Sequence, residues 1–273
     1  MIDLHVHTWR CRHATGSAEE YVRAAAGRGV RVLAFTEHLP LAPALAAGLE
    51  GAEGYAMPAG ELPEYVSEVR AAAELGADLG VEVLLGAEAD LVPEGIDHAR
   101  VLLDGWQFDV VLGSVHLIDG WAFDDPDRIE GYEAWDIAEL WGRYFDDLAY
   151  AARSGLADVI AHADLVKKFC MRPSGPVEHL YADAAAALAM AGVAVEVNTA
   201  GLRKPCRELY PGRAFLSALC EAGVPVTVGS DAHSPDDVGA GRDEAVAALR
   251  EAGYRSALVF RRRIAEEVGI DEL

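Results

Sequence analysis

Segments rich in branched apolar residues alternate with helix-like segments along almost the whole of this 273-residue chain. The predicted strands cover residues 2–8, 31–36, 81–86, 108–115, 158–161, 193–197, 225–228 and 254–260. The predicted helices cover residues 17–29, 62–79, 94–104, 132–154, 177–191 and 211–222, and one more helix precedes the last strand. This alternation predicts an α/β protein with a parallel sheet, because parallel strands need crossover connections. Seven or eight such units favour closure into a barrel over an open sheet.

No change of composition marks a boundary between two domains. We therefore expect one domain over residues 1–273, since a single α/β barrel commonly has about this length. The longest predicted connection, residues 39–60, is rich in Pro, Gly and Ala. Its Leu and Ala content predicts a packed lid over the barrel, with room for a short helix, rather than a linker.

The first predicted strand carries two histidines two residues apart, His5 and His7. Side chains at this spacing on a strand face the same way, so both imidazoles can reach one metal ion. Asp3 lies on the same predicted face, where its carboxylate can be a third ligand or can orient a histidine. For this strand taken alone, a chance pair of histidines facing solvent is the alternative.

Histidine and acidic side chains follow the other predicted strands as well. The carboxyl ends of parallel strands meet at one face of a barrel, where active sites lie. Seven of the nine histidines fall at these ends or in the loop just after them, a preference that histidines packed in a core would not show. The residues at the strand ends are His5, His7, Glu37, His38, Glu88, His116, His162, Asn198, Asp231 and His233. Imidazole and carboxylate ligands without thiolate predict a site for Zn, Fe(II) or Mn rather than Mg or Ca.

The formal net charge of the chain is −22, from 45 acidic and 23 basic residues. No basic surplus neutralises phosphates, which disfavours nucleic acid and anionic membranes as partners. Chemistry on a phosphate would need local positive charge, and bound metal ions provide it. The four cysteines form no CxxC pair, and we expect neither a leader peptide nor a membrane span, because the N-terminus leads straight into a predicted strand and no apolar run is long enough to cross a bilayer. We therefore expect free thiols and a cytoplasmic location, and the sequence leaves a homo-oligomer open.

Seven short motifs occur in the order DLHVHT, HATG, TEH, GAEAD, GSVH, IAHADL and GSDAH. Together they resemble the PHP (polymerase and histidinol phosphatase) family of metallohydrolases, and the resemblance spans nearly the whole chain. GSVH followed by an acidic loop, with EVNTAGLRKP and ELYP, is similar to the histidinol-phosphate phosphatase branch. The resemblance implies the PHP fold, a distorted TIM-like (β/α)7 barrel, with a trinuclear cluster of divalent ions that are Zn, Fe or Mn.

The resemblance also assigns nine ligands to the three ions, with Glu88 shared between the first two. The first ion takes His5, His7, Glu88 and Asp231; the second takes Glu88, His116 and His162; the third takes His13, His38 and His233. His13 lies in a loop, where solvent exposure or direct contact with phosphate is the alternative.

The implied reaction is hydrolysis of L-histidinol phosphate to L-histidinol and phosphate, a step of histidine biosynthesis. A hydroxide that bridges two of the ions, with Glu88 between them, would attack phosphorus. Asp231 or His233 could protonate the leaving oxygen, although ligands bound to metal are poor proton donors and a water can do this instead.

Contacts to the substrate are predicted from charge and position. The basic candidates for phosphate are Arg203 first, then Lys167, Lys168 and Lys204, although a loop Lys or Arg is more often a solvated surface charge. Asn198 at its strand end is a further candidate. Asp124 and Asp125 could accept hydrogen bonds from the ammonium and imidazole groups of histidinol; the alternative is that they only solvate their loop.

Three other functions stay open at this point. A phosphoesterase acting on nucleotides or other small phosphate esters would use the same ligands, and a panel of phosphomonoesters would separate the two. An amidohydrolase usually bridges its metals with a lysine at a strand end, where this chain has Glu88. A non-catalytic metal-binding module of the same family would have lost ligands, and none is missing.

Overall fold

The strands of the computed structural model, which describes residues 1–273, are short and mostly buried. They are β1 (Ile2–Val6), β2 (Val32–Phe35), β3 (Glu82–Asp90), β4 (Val110–Ser114), β5 (Leu117–Ile118), β6 (Trp121–Ala122), β7 (Val159–Ile160), β8 (Ala194–Asn198), β9 (Val226–Gly229), β10 (Ser256–Arg261) and β11 (Ile264–Gly269). Strands β1, β2, β3, β4, β7, β8 and β9 pair in that order, all in parallel. The outermost strands of this sheet meet at one bridge, between Val6 and Ala232. The predicted distorted (β/α)7 barrel is confirmed, in a nearly closed form.

Helices cover the outside of the barrel between successive strands. They are α1 (Ala18–Arg28), α2 (Pro43–Gly48), α3 (Leu62–Leu79), α4 (Ile96–Asp104), α5 (Ile137–Arg153), α6 (Glu178–Ala191), α7 (Arg213–Glu221) and α8 (Arg242–Ala252). Helix α1 begins with a complete capping box between Ser17 and Glu20 and ends at Gly29 in the left-handed conformation, as its sequence predicts. None of the helices combines the length and apolarity needed to cross a lipid bilayer.

The main apolar core lies between the sheet and its helices. Tyr21 of α1, Phe35 of β2 and Tyr65 of α3 are fully buried there, and the Tyr65 hydroxyl donates to the carbonyl oxygen of Phe35 at 2.9 Å. Burying one such large side chain contributes roughly 1.5–3 kcal/mol. This packing keeps the strand ends at fixed positions, which the site requires.

Two predicted elements differ from the structure. The helix predicted over 132–154 begins only at Ile137, because Asp136 caps it and 126–134 forms 3-10 turns. The strand predicted over 254–260 does not join the barrel; β10 pairs instead with β11 in an antiparallel hairpin, and β11 was not predicted because most of its residues are exposed. The hairpin packs on the N-terminal mouth of the barrel, where Arg263 donates to the Asp158 carboxylate at 3.0 Å.

The segment of residues 39–60, here called the lid segment, folds over the opposite mouth. It contains α2 and two 3-10 turns, and its side chains Leu39, Leu45 and Met57 are buried in the core. The expected packed lid with a short helix is what the structure contains.

Candidate metal centre

The nine side chains assigned to metal ions come together at the C-terminal mouth of the barrel. Five groups of three side chains have ligand atoms that lie within 4.8 Å of one another. Two of them overlap the others: His7, His38 and Glu88, and His7, Cys11 and His233. The remaining three are His5, His7 and Asp231; Glu88, His116 and His162; and His13, His38 and His233. They coincide with the three sets expected from the sequence, except that Glu88 is grouped with the second set and with His7 and His38. Residues more than two hundred positions apart therefore form one cluster.

Glu88 occupies the middle of this cluster. One carboxylate oxygen, Oε1, lies 2.9 Å from His162 Nε2 and accepts a hydrogen bond from the Ser114 hydroxyl at 2.5 Å. The other oxygen, Oε2, lies 3.3 Å from His5 Nε2 and 3.1 Å from His38 Nδ1. Glu88 is 1% exposed, and its Oε2 atom has no hydrogen-bond partner. The two oxygens of Glu88 therefore face imidazoles of different ligand groups, as the oxygens of a carboxylate that bridges two metal ions do.

Three further carboxylates orient the ligand histidines, a role that the sequence analysis did not assign. Each accepts a hydrogen bond from the Nδ1 atom of one ring. The distance from Nδ1 to the carboxylate oxygen is 2.8 Å for His5 and Glu196, 3.2 Å for His7 and Glu37, and 3.0 Å for His116 and Asp90. Each carboxylate lies on or beside the end of a barrel strand, which is the one signal that could have identified it. Such partners fix the tautomer of the neutral ring, in which Nδ1 carries the proton and Nε2 carries the lone pair that binds a metal ion.

The Nε2 atoms that result face one another at short distances. His5 Nε2 lies 3.0 Å from His7 Nε2, and His116 Nε2 lies 3.2 Å from His162 Nε2. Two unprotonated nitrogens cannot hydrogen-bond to each other, but both can bind one cation. Together with the unpartnered Oε2 atom of Glu88, these pairs show that the donor set fits divalent metal ions.

The histidines of the cluster differ in the direction in which their pKa is shifted. Burial lowers the pKa of His233 to about 3 and also lowers that of His38, so both imidazoles are neutral at pH 7 and available as ligands. Burial also acts to lower the pKa of His7 and His116, but the neighbouring carboxylates outweigh it. They raise the pKa of His7 to about 9 and that of His116 to about 10. At these two rings a bound cation would displace a proton.

Two of the ligand residues have strained backbones. His162 has φ of +29° and Asp231 has φ of +50°, in the left-handed region that non-glycine residues seldom adopt. Such strain persists only where the surrounding structure enforces it, and it concentrates at functional sites. Both residues follow the ends of barrel strands.

His13 contributes to the third group from the loop after β1. Its Nδ1 atom is 3.2 Å from the carbonyl oxygen of Gly54 in the lid segment, and its ring lies 5.0 Å from that of His233. His13 is exposed, unlike most of the cluster. The hydrogen bond to Gly54 leaves its Nε2 atom free to bind an ion.

A cavity of about 460 Å³ opens above the cluster. Lys168 and Lys204 line it together with Asp124, and Lys168 Nζ lies 3.0 Å from the Asp124 carboxylate. Tyr55 of the lid segment lines the same cavity, with its ring 5.9 Å from that of His38. The cavity therefore presents metal ligands at its base and charges of both signs on its walls.

The predicted substrate contacts lie partly outside this cavity. Asp124, Asp125, Lys168 and Lys204 line it, whereas Arg203, Lys167 and Asn198 do not. Lys167 is 1% exposed, and its ammonium donates to Asp164 and to the Leu209 carbonyl oxygen, each at 2.7 Å. Lys167 and Lys168 are neighbours in a tight turn, so they point in different directions, which charge and position alone do not reveal.

The other two outlying candidates contact protein groups near Asp231. Asn198 donates to Glu196 at 2.9 Å and to the Asp231 carboxylate at 3.2 Å. Arg203 donates to the carbonyl oxygen of Ser230 at 2.7 Å. Both side chains are thus held by protein groups at or beside Asp231, and neither lines the cavity.

The expectation that Asp3 faces the same way as His5 and His7 was wrong. The register of β1 against β2 shifts between Asp3 and Val6, and such an irregularity interrupts the alternation of side chains. The Asp3 carboxylate accepts from the Ser230 backbone N–H at 2.8 Å and belongs to none of the ligand groups.

Comparison with known proteins agrees with the family that the order of motifs indicates. The sequence model of the PHP domain matches residues 3–200. This chain belongs to the PHP domain family. A PHP relative from Deinococcus radiodurans, named "Probable histidinol-phosphatase", is 39% identical over 263 residues, which are 96% of this chain and 97% of that protein. The "Histidinol-phosphatase" of Bacillus subtilis is 27% identical over 257 residues, 87% of this chain and 95% of that protein.

A solved structure shows the same PHP fold. The histidinol phosphate phosphatase of Lactococcus lactis, complexed with Zn, L-histidinol and phosphate, superposes with a TM-score of 0.81 over 97% of this chain and 98% of that one. The two sequences are 20% identical, so the likeness is evidence for the barrel alone.

Proposed function

We propose that this PHP chain is a histidinol-phosphatase that hydrolyses L-histidinol phosphate to L-histidinol and phosphate, with residues 1–273 acting as one domain. The observation that carries the proposal is the convergence of three ligand groups around Glu88 at the base of one cavity. The names of the relatives from D. radiodurans and B. subtilis support the choice of substrate.

Three divalent ions would occupy the three ligand groups, with Glu88 between the first two. Mixed imidazole and carboxylate ligands suit Zn, Fe(II) or Mn. When bound, such ions acidify water for attack on phosphorus and neutralise the phosphoryl oxygens. The protein contributes the positions of the nine ligands, and Glu37, Asp90 and Glu196 keep three of the imidazoles in the correct tautomer.

Lys168 and Lys204 would bind the phosphate group. Burial lowers the pKa of Lys204, and the nearby charge of Lys168 lowers it further. Two like charges in one cavity repel each other, and an anionic ligand between them removes that repulsion. Charge-assisted hydrogen bonds to phosphate oxygens are also stronger than neutral ones.

Asp124 would accept hydrogen bonds from the cationic part of histidinol. Burial opposes its ionisation, but Lys168 and His116 outweigh burial and lower the pKa of its carboxyl group. Asp124 is therefore ionised at neutral pH. A substrate with phosphate at one end and an ammonium group at the other matches a cavity with Lys168 and Asp124 on its walls.

A water is the better candidate for the proton that the leaving oxygen needs. Burial opposes ionisation of Asp231, yet His5 and His7 hold the pKa of its carboxyl group well below the ordinary value. The pKa of His233 is about 3. Neither side chain carries a proton at pH 7, and a bound cation would lower both pKa values further.

The test is metal analysis of the purified full chain together with phosphate release from L-histidinol phosphate, p-nitrophenyl phosphate and a nucleoside monophosphate. We expect about three metal ions per chain and the highest kcat/KM for L-histidinol phosphate. A higher kcat/KM for the nucleotide would replace the proposed substrate and leave the metal centre in place. Absence of bound metal would refute the proposal as a whole.

A further inference from the structure

The barrel has a weak seam beside the proposed metal centre. Neighbouring strands β8 and β9 pair over four residues, whereas β1 and β9 share no ladder. Two backbone hydrogen bonds cross between them, from His7 N–H to the Ala232 carbonyl at 2.9 Å and from Ala232 N–H to the His5 carbonyl at 3.4 Å. Asp231, a proposed ligand of the first ion, lies directly at this seam.

One buried carboxylate spans the same seam. Asp3 of β1 accepts from the backbone N–H of Ser230 at 2.8 Å and from the Ser230 hydroxyl at 2.5 Å. It also accepts from the backbone N–H of Gly239 at 2.8 Å. Asp3 is 1% exposed and has no cationic partner; apart from a long contact to the His5 backbone N–H at 3.4 Å, its oxygens accept from the segment that carries Asp231.

Ser230 is bound from its other side by Arg203. The guanidinium donates to the Ser230 carbonyl oxygen at 2.7 Å, and its Nε atom lies 3.6 Å from the Asp237 carboxylate. The N–H, hydroxyl and carbonyl groups of Ser230 are therefore all occupied by Asp3 and Arg203. The next residue, Asp231, has the strained φ of +50°.

We infer that Asp3 and Arg203 are positioning residues for Asp231. By immobilising Ser230 from both sides, they keep the backbone of Asp231 in the left-handed conformation and direct its carboxylate toward His5 and His7. Asp231 Oδ1 lies 3.4 Å from His7 Nε2 and 3.7 Å from His5 Nε2. This inference rests on the proposed metal centre and assigns Arg203 to the ligand Asp231 instead of the phosphate.

The physical reason is that the left-handed conformation costs free energy for any residue with a Cβ atom, although aspartate tolerates it better than most. Strain of this kind costs roughly 1–3 kcal/mol and persists only under constraint from its surroundings. The direct support of the Asp231 side chain, the Asn198 amide at 3.2 Å, orients the carboxylate but not the backbone. The hydrogen bonds to Ser230 provide the constraint where the strand ladder is missing.

The experiment compares zinc binding by the full-length parent chain, Asp3→Asn and Arg203→Met. In Asp3→Asn an amide N–H₂ group meets the Gly239 N–H donor, so this contact is lost while the volume is unchanged. Asp158→Asn is the matched control, because Asp158 accepts from the Val111 backbone N–H at 2.8 Å at the opposite mouth of the barrel. Zinc content is measured after dialysis at defined free zinc, and unfolding midpoints are measured on the same samples.

We expect Asp3→Asn and Arg203→Met to weaken one of the three zinc sites by roughly 10- to 100-fold, the usual effect of losing a residue that orients a ligand. Asp158→Asn should lower the unfolding midpoint and leave zinc binding unchanged. If Asp3→Asn does not fold, Arg203→Met decides the question, since its guanidinium is partly exposed.

Two results would overturn the inference. The first is parental zinc affinity in both variants despite a lowered unfolding midpoint, which would make Asp3 and Arg203 general stabilising residues. The second is an unchanged zinc affinity of Arg203→Met with weaker inhibition by inorganic phosphate, which would return Arg203 to the substrate. A parent chain that binds zinc but releases no phosphate would refute the proposed function and leave this test intact.

Discussion

The two mouths of the barrel balance their charges in opposite ways. At the N-terminal mouth two carboxylates have cationic partners from the β10–β11 hairpin: Glu82 pairs with Arg261 at 2.6 Å and Asp158 with Arg263 at 3.0 Å. At the C-terminal mouth, imidazole nitrogens face each other, and the Glu88 Oε2 atom has no hydrogen-bond partner. The first arrangement is complete by itself, whereas the second offers imidazole and carboxylate atoms that can bind cations from outside the chain. This contrast is the strongest physical argument for a metal centre.

The sharpest test of this contrast uses two glutamates on the same strand. Glu88→Gln should remove the shared ligand, lower the metal content and reduce phosphate release by more than the roughly 100-fold typical of residues that only orient ligands. Glu82→Gln, at the other end of β3, should leave both quantities unchanged. Metal analysis and a phosphate-release assay measure the two effects, and equal losses in the two variants would remove the distinction between the mouths.

Substitutions of the adjacent residues Lys167 and Lys168 should have different effects, one on the stability of the fold and the other on substrate binding. Lys168→Met removes a charged contact to phosphate, worth about 1.5–3 kcal/mol, so kcat/KM should fall roughly 10- to 150-fold. Lys167→Met leaves Asp164 buried without its cation and should lower the free energy of unfolding by about 3–5 kcal/mol. Urea denaturation and steady-state kinetics distinguish the two outcomes. A fall in kcat/KM for Lys167→Met at full stability would place that lysine at the substrate after all.

Substitution of Asp124 should lower kcat/KM for a substrate that carries an ammonium group and not for one that lacks it. In Asp124→Asn we expect kcat/KM to fall roughly 10-fold for L-histidinol phosphate, through loss of a charged hydrogen bond, and to stay the same for p-nitrophenyl phosphate. Asp119→Asn is the control, since Asp119 pairs with Arg143 outside the cavity. Equal losses on both substrates would exclude a role of Asp124 in recognition.

The smallest effect is expected at the N-terminal mouth. Arg261→Met breaks an ion pair with Glu82 in which both side chains are more than 30% exposed. Such pairs contribute about 0.2–1 kcal/mol, so thermal unfolding should change little and phosphate release should not change. A large loss of activity would mean that the hairpin communicates with the metal centre through the barrel.

The site could be predicted from the sequence to the extent that it depends on strand ends. His116 and His162 follow apolar segments, and parallel strands bring such positions to one mouth whatever the loops do. Arg203 shows where this reasoning stops. Its loop could be located, but the direction of its guanidinium depends on Ser230, which belongs to a different strand end.

The fold was predictable to a similar extent. The seven barrel strands follow from alternation of apolar and helical segments, which is a local property. The antiparallel hairpin at the end of the chain was missed because its second strand, Ile264–Gly269, is short and mostly exposed and is stabilised by its partner strand. The break in alternation at Asp3 comes from the register of β1 on β2, which no single strand specifies.

The amino-acid sequence by itself determined the barrel class, the strand ends and the set of side chains able to bind metal, because periodicity along the chain and the parallel order of strands are enough for these. Only the tertiary structure decided which carboxylate orients which histidine, which lysines line the cavity and what secures the seam beside Asp231. Those features are contacts between residues distant in sequence, and their geometry is set by packing rather than by any local pattern.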